Sequence, residues 1–260
     1  DVEPNFWRAQ IDNENDTSNP ANLPREMFVW RDAHIGRRLE SRSHEQVAPG
    51  HVRVSVAIRV PVWDAAYANI YDVYGNGDVA VTAAMQGPDQ LPELMRFGMR
   101  MPVANWMDQA EWYGRGPHES YADRKTSALV GLYKSPVAGL HFPYCKPQAN
   151  GNRTDTRWVA ITNRQGRGLL ISGEPTLEFS ATTYDPRKLL YARHDYELGR
   201  HWHNTVHIDG VQRGVGGVNS WGQQPLSQYR PRQSSYAYRY RLSPLVGGED
   251  LATVAARKYE

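Results

Sequence analysis

Cysteine is almost absent: Cys145 is the single one in 260 residues, which excludes an intramolecular disulfide framework and a cysteine-rich zinc site. That lone thiol is expected to be buried and inert. No run of about 18 apolar residues occurs, so no segment reads as a membrane-spanning helix and no membrane partner is expected. Charge of one sign is never concentrated either. The 30 basic and 28 acidic side chains leave a formal net charge of +2, and like-charged blocks stop at pairs such as Arg37-Arg38 and Arg257-Lys258. That pattern argues against nucleic acid as a partner. Long amphipathic helical stretches are missing, which argues against a parallel βαβ fold, and no fixed-period repeat is visible. The chain opens at Asp1 with neither Met nor an apolar leader, pointing to a mature chain or a piece of a longer one.

What is present is aromatic and alternating. Fifteen Tyr and eight Trp stand against five Phe, an excess that suits broad, half-wet binding surfaces. Residues 51–60 place Val52, Val54, Val56, Ile58 and Val60 on one face, predicting a strand with one buried side. Further strands are predicted over 67–74, 78–84, 94–101, 107–113, 157–163, 168–173, 176–182, 203–209 and 235–242. Gly75-Asn76-Gly77-Asp78 and Asn163-Arg164-Gln165-Gly166 supply turns. The best helical candidate, 186–192, is short, and the polar segment 12–26 reads as a loop. Together these predict a large all-β antiparallel sandwich over residues 1–243, with 244–260 as an extension or tail.

Four islands mix glycine with polar and aromatic residues: Arg8 to Glu14, Trp112 to Arg124, Pro147 to Arg157, and Gly214 to Gly222, the last preceded by His207 and Asp209. The final run sets Trp221 at the tip of a segment too glycine-rich for regular structure, and its glycines permit positive φ and close approach. A tryptophan presented in this way is read as a platform for a ligand, against the plainer alternative of a loop-closing aromatic.

The islands resemble the C-terminal domain of the large bacterial β-galactosidases of glycoside hydrolase family 2, which also occurs as a separate small chain. Gly114 to Arg124 meets the pattern G-x-G-P-x-E-x-Y-x-D-R. Pro147 to Arg157 meets P-Q-E-N-G-N-R-T-D-x-R except at Ala149, and Gly214 to Trp221 meets G-[VI]-G-G-D-x-S-W except at Val218. Arg8 to Glu14 meets R-A-P-x-D-N-D except at Gln10 and Glu14. The likeness runs from about residue 1 to about 243. It implies an all-β supersandwich, galactose mutarotase-like, folding beside a catalytic (β/α)₈ barrel of the same or a companion chain. The barrel would carry both carboxyls of a retaining glycosidase, spaced about 5–5.5 Å, so this chain is expected to be non-catalytic.

The resemblance further implies that Trp221, with Asn219 and Ser220, helps hold a galactoside sugar. Glu119, Asp123 and Arg124 are expected to be structural, paired with an arginine or with loop N–H groups. Asn150, Arg153 and Asp155 are expected to buttress the Trp221 loop, supported by His207 and Asp209. His201, His203 and His207 would share a strand face, a metal site being the minor reading and hydrogen-bonded settings the major one. No cofactor is expected in this chain, with Mg, Na or Ca as candidates for the assembled enzyme only. His207 could stand for a mutarotase histidine, but the carboxylates missing at Ala149 and Val218 argue against an independent epimerase and leave the substrate preference open. An oligomer is expected, and a bacterial cytoplasm and periplasm remain equal. A freestanding carbohydrate-binding module and a purely structural interface domain are the alternatives.

Overall fold

The computed structural model describes residues 2–14, 25–217, 219 and 223–259. Twelve strands in this part form one antiparallel system: β1 (Glu3–Asn5), β2 (Arg38–Ala48), β3 (His51–Val60), β4 (Ala65–Tyr74), β5 (Val79–Gln86), β6 (Arg96–Ala104), β7 (Gln109–Gly116), β8 (Leu129–Pro136), β9 (Arg153–Thr162), β10 (Arg167–Thr182), β11 (His203–Gln212) and β12 (Ser235–Val246). Their order is β1-β6-β11-β10-β12-β5-β4-β3-β2, with β9, β7 and β8 branching from β10. The sheet curls on itself. Phe6, just after β1 at one end, meets Tyr67 on β4 near the other end with ring centroids 5.9 Å apart. The main core fills this curl, with Trp30, Phe97, Trp112, Phe179 and Tyr240 all essentially inaccessible.

The all-β antiparallel expectation is met, and both turns form as read. Tyr74 N–H donates to Asp78 at 2.9 Å with Gly77 at φ +89°, and Asn163 N–H donates to Arg167 at 2.9 Å. Several local expectations differ. The predicted strands 168–173 and 176–182 are one strand, because β12 stays paired through Glu174 while the register with β9 shifts between Ser172 and Leu177. Pro175 is thus accommodated at an irregularity, where a missing N–H costs little. The buried face of β3 is shorter than expected: Ile58 and Val60 are buried, whereas Val52, Val54 and Val56 are half-covered because their half of the strand reaches past the core. β1, β2 and β8 carry no apolar alternation that would have announced them, and every residue of β2 is exposed. The predicted helix contracts to a 3₁₀ turn, Pro186–Leu190, capped by Asp185.

Residues beyond 243 are packed. β12 continues to Val246, and a short helix, α1 (Leu251–Ala255), seats Val254 against Trp158, Leu170 and Leu245. Arg241 donates to the carbonyls of Val254 and Ala255 at 3.1 and 2.6 Å, satisfying the end of that helix. Cys145 is exposed, contrary to expectation. It lies in the irregular segment 142–146, where Tyr144 is the side chain turned inward, onto Glu119.

Candidate functional site

Polar groups collect on one face of three adjacent strands. Register places Gly98, Asp209 and Glu178 in one row across β6, β11 and β10, and Arg100, His207 and Ser180 in the next. Asp209 is fully buried and reaches Arg96 at 3.2 Å. Gly98 is required beneath it, since a Cβ there would stand 1.9 Å from the Asp209 carboxylate. Burial pushes Asp209 up to about 6, against the opposing pull of Arg96 and a Gln212 hydrogen bond. Burial likewise lifts the enclosed Glu178 carboxyl to about 8, against a 2.6 Å bond from Asn152. The buried His207 falls well below its ordinary value, first through burial and then through Arg96 and Arg100, so its 3.2 Å contact with Ser180 is made by a neutral ring.

The four islands converge beside this face. Asp12 and Gln148 exchange reciprocal bonds of 3.0 and 2.8 Å, joining the first island to the third. Glu119 joins the second to the third: it accepts from Arg124, from the Tyr144 hydroxyl and from the Gly151 N–H at 2.7 Å. Ser120 and Asn152 add mutual bonds of 2.8 and 3.0 Å. Asp123 holds the fourth island, accepting from the N–H groups of Val215 at 3.0 Å and Gly216 at 2.8 Å. Its carboxylate lies where any Cβ on Gly214 would fall, 2.5 Å away, and Gly216 and Gly217 then turn at φ +70° and +105°. The motif glycines are therefore explained by one carboxylate and two left-handed backbone positions.

Beneath this run lies a charge network that the sequence reading missed apart from Arg8 and Glu14. Glu14 pairs with Arg8 at 2.8 Å and Arg213 at 2.6 Å, and Arg213 continues to Glu93 at 2.5 Å. Glu93 is also held by Arg230 at 2.6 Å and Arg232 at 3.0 Å, and these arginines bring its pKa below the ordinary range despite burial. Arg213 and Arg230 lie 120 and 137 residues from Glu93 in sequence, and no local spacing signals such a contact. Gln10, where the family pattern has proline, donates its side-chain amide to the Glu14 carbonyl at 2.9 Å.

Asn219 is exposed and accepts from the Gln223 N–H at 3.3 Å. Val218, Ser220 and Trp221 lie outside the described residues. Asn150, Arg153 and Asp155, expected to buttress the Trp221 loop, make these bonds among the described residues. Asn150 bonds Phe142 and Gln148, Arg153 bonds the carbonyls of Leu140, Gly151 and Pro117, and Asp155 pairs with Arg115 and Lys125. The described part of the glycine run is held instead by Asp123 and by Asn13, whose side-chain amide donates to the Val215 carbonyl at 3.0 Å. Of the three histidines, His201 precedes β11 and contacts His203 at 3.0 Å, while His207 is bonded separately to Ser180, so the three do not converge. Among the described residues no group of three or more His, Cys, Asp or Glu side chains is arranged around a metal.

The chain is similar to known proteins over most of its length. The β-galactosidase of Priestia megaterium is 37% identical over 243 residues, covering 93% of this chain and 23% of the relative. Those of Halalkalibacterium halodurans and Lactobacillus delbrueckii subsp. bulgaricus are each 33% identical, with 22% and 23% of their lengths covered. The chain thus spans less than a quarter of these relatives. Among solved structures, a putative aldose 1-epimerase from Escherichia coli K12 aligns over 84% of this chain and 72% of its own, with a TM-score of 0.42 and 10% identity, a distance at which no activity is transferred. The model of the β-galactosidase small chain matches residues 1–242, and the chain belongs to that family.

Proposed function

We propose that this chain completes the sugar pocket of a β-galactosidase whose catalytic carboxyls lie in a separate barrel, of the same polypeptide or a companion, and that the assembled enzyme hydrolyses terminal β-D-galactosides. Two facts support the division of labour. The curated relatives are β-galactosidases of which this chain spans less than a quarter. Glu14, Glu93, Glu119 and Asp123 are committed to arginines or loop N–H groups and Glu178 to the Asn152 amide, whereas a glycosidase needs one carboxyl to protonate the leaving oxygen and another to attack the sugar carbon.

The observation that carries the reading is the grip of Asp123 on Val215 and Gly216. It fixes the root of the run that leads to Trp221, and a fixed root lets an indole meet the apolar face of a pyranose at little cost in ordering. The test is reconstitution with the barrel part, followed by hydrolysis of a nitrophenyl galactoside. Activity is expected only in the mixture, and Trp221→Ala should raise KM by roughly tenfold, about 1.4 kcal/mol of lost binding, at an unchanged melting temperature. Hydrolysis by this chain alone, or an unchanged KM with a large fall in melting temperature, would refute the reading.

A further inference from the structure

A cleft of about 510 Å³ opens over the polar face of β6, β11 and β10, of the size that holds one small molecule. Its wall includes Arg8, Arg96, Arg100, Lys188, His34 and His207. The carboxylates that balance three of these arginines, Glu14, Asp209 and Glu3, sit behind the wall and do not line it. The two that do line it, Asp32 and Asp185, are each closed by an arginine, Arg31 at 3.0 Å and Arg187 at 2.7 Å.

Each guanidinium carries five N–H donors, so Arg96 and Arg100 are not used up by Asp209 and Glu3, and the Lys188 ammonium gives one of its three to the Leu198 carbonyl at 2.8 Å. Arg100 donates to His34 Nε2 at 2.9 Å, which fixes that ring as a neutral acceptor, and burial with Arg100 lowers its pKa. Ser180, Thr182 and Tyr184 add hydroxyls, and Leu189 an apolar surface.

We infer that this cleft binds a small hydroxylated anion, its carboxylate or phosphate received by Arg96, Arg100 and Lys188. Arginine in a partly dry wall suits both head groups. The site lies wholly within this chain, so it stands or falls independently of the barrel.

Calorimetric titration of the full chain with galacturonate, galactose 6-phosphate and neutral galactose tests it. Saturable binding is expected for at least one anion, and whichever binds identifies the head group. Galactose should bind at least tenfold more weakly, and raised salt should weaken the anion. Arg100→Gln removes a cation, and Ala149→Glu places a carboxylate in the wall. Each should weaken binding about tenfold or more, so a folding failure in one leaves the other as the test. Galactose binding as tightly as both anions, neither anion binding at millimolar concentration, or affinity unchanged in a folded variant would overturn the inference.

Discussion

The two ends of the sheet follow opposite rules. From β5 through β4 to β3 and β2 the strands are successive hairpins in chain order, with mostly unbroken register, and charge lies mostly outside, the buried Asp72 excepted. β2 is exposed at every residue, its Arg42 and Glu45 facing solvent. From β6 to β11 the partners come from distant parts of the chain, and charge is inside: Arg96, Asp209 and Arg213 are all buried. Alternating hydrophobicity describes the first end and is silent about the second. What distinguishes the second is that each buried charge has found a specific partner, which is the condition under which burial of a charge is tolerated at all.

The sharpest way to break this contrast is Arg213→Met. It leaves Glu93 and Glu14 each short of a partner in a buried setting and should cost about 3–5 kcal/mol in denaturant unfolding. A change below about 1 kcal/mol would mean that the network relaxes or admits water. A smaller effect is expected from Glu178→Gln. Because the folded Glu178 titrates near 8 rather than at its ordinary 4.5, the folded state holds a proton that the unfolded chain releases between those values. Stability should therefore fall as pH rises from about 4.5 to 8, by up to about 1.4 kcal/mol per unit. Melting curves of the Gln variant should show that dependence flattened, and an identical pH profile would show that this carboxyl ionises freely. Smallest of all, Arg42→Ser on β2 should shift stability by less than about 0.5 kcal/mol. A larger loss would show that β2 is not the idle edge described here.

The same division governs what the sequence disclosed. All ten predicted segments, where Val, Ile and Tyr alternate as in 67–74, fall on strands, nine strands in all because two share β10. β2 escaped because a strand exposed on both faces has no periodicity to detect, and β8 because its half-covered face carries Gly131, Tyr133 and Ser135 rather than an aliphatic row. At the site, the motif spacing brought out Asp123, Glu119 and the glycine run, since loops held by their own polar side chains keep a recognisable local signature. It did not reveal Glu93 or Arg213, whose pairing depends on strands that meet only in the folded sheet. Nor could it name the carbonyls of Leu140, Gly151 and Pro117 that Arg153 meets, because an arginine in a glycine-containing loop can turn to any of several. Ala149, read as a lost acid, proves to line the cleft beside Asn150.

The position of β12 carries a consequence for how the chain reaches this state. It is the last strand in chain order, yet along the main path of the sheet it alone joins β10 to β5, while β1 pairs with β6 97 residues away in sequence at Glu3–Arg100. The hairpins of β2 to β5 can form early, but the halves of the sheet are left unjoined until Ser235–Val246 arrives, and loop closure over such separations is slow. Folding is thus expected to wait on the final strand, and until then the unpaired edges of β5 and β10 are the ones that other chains could capture.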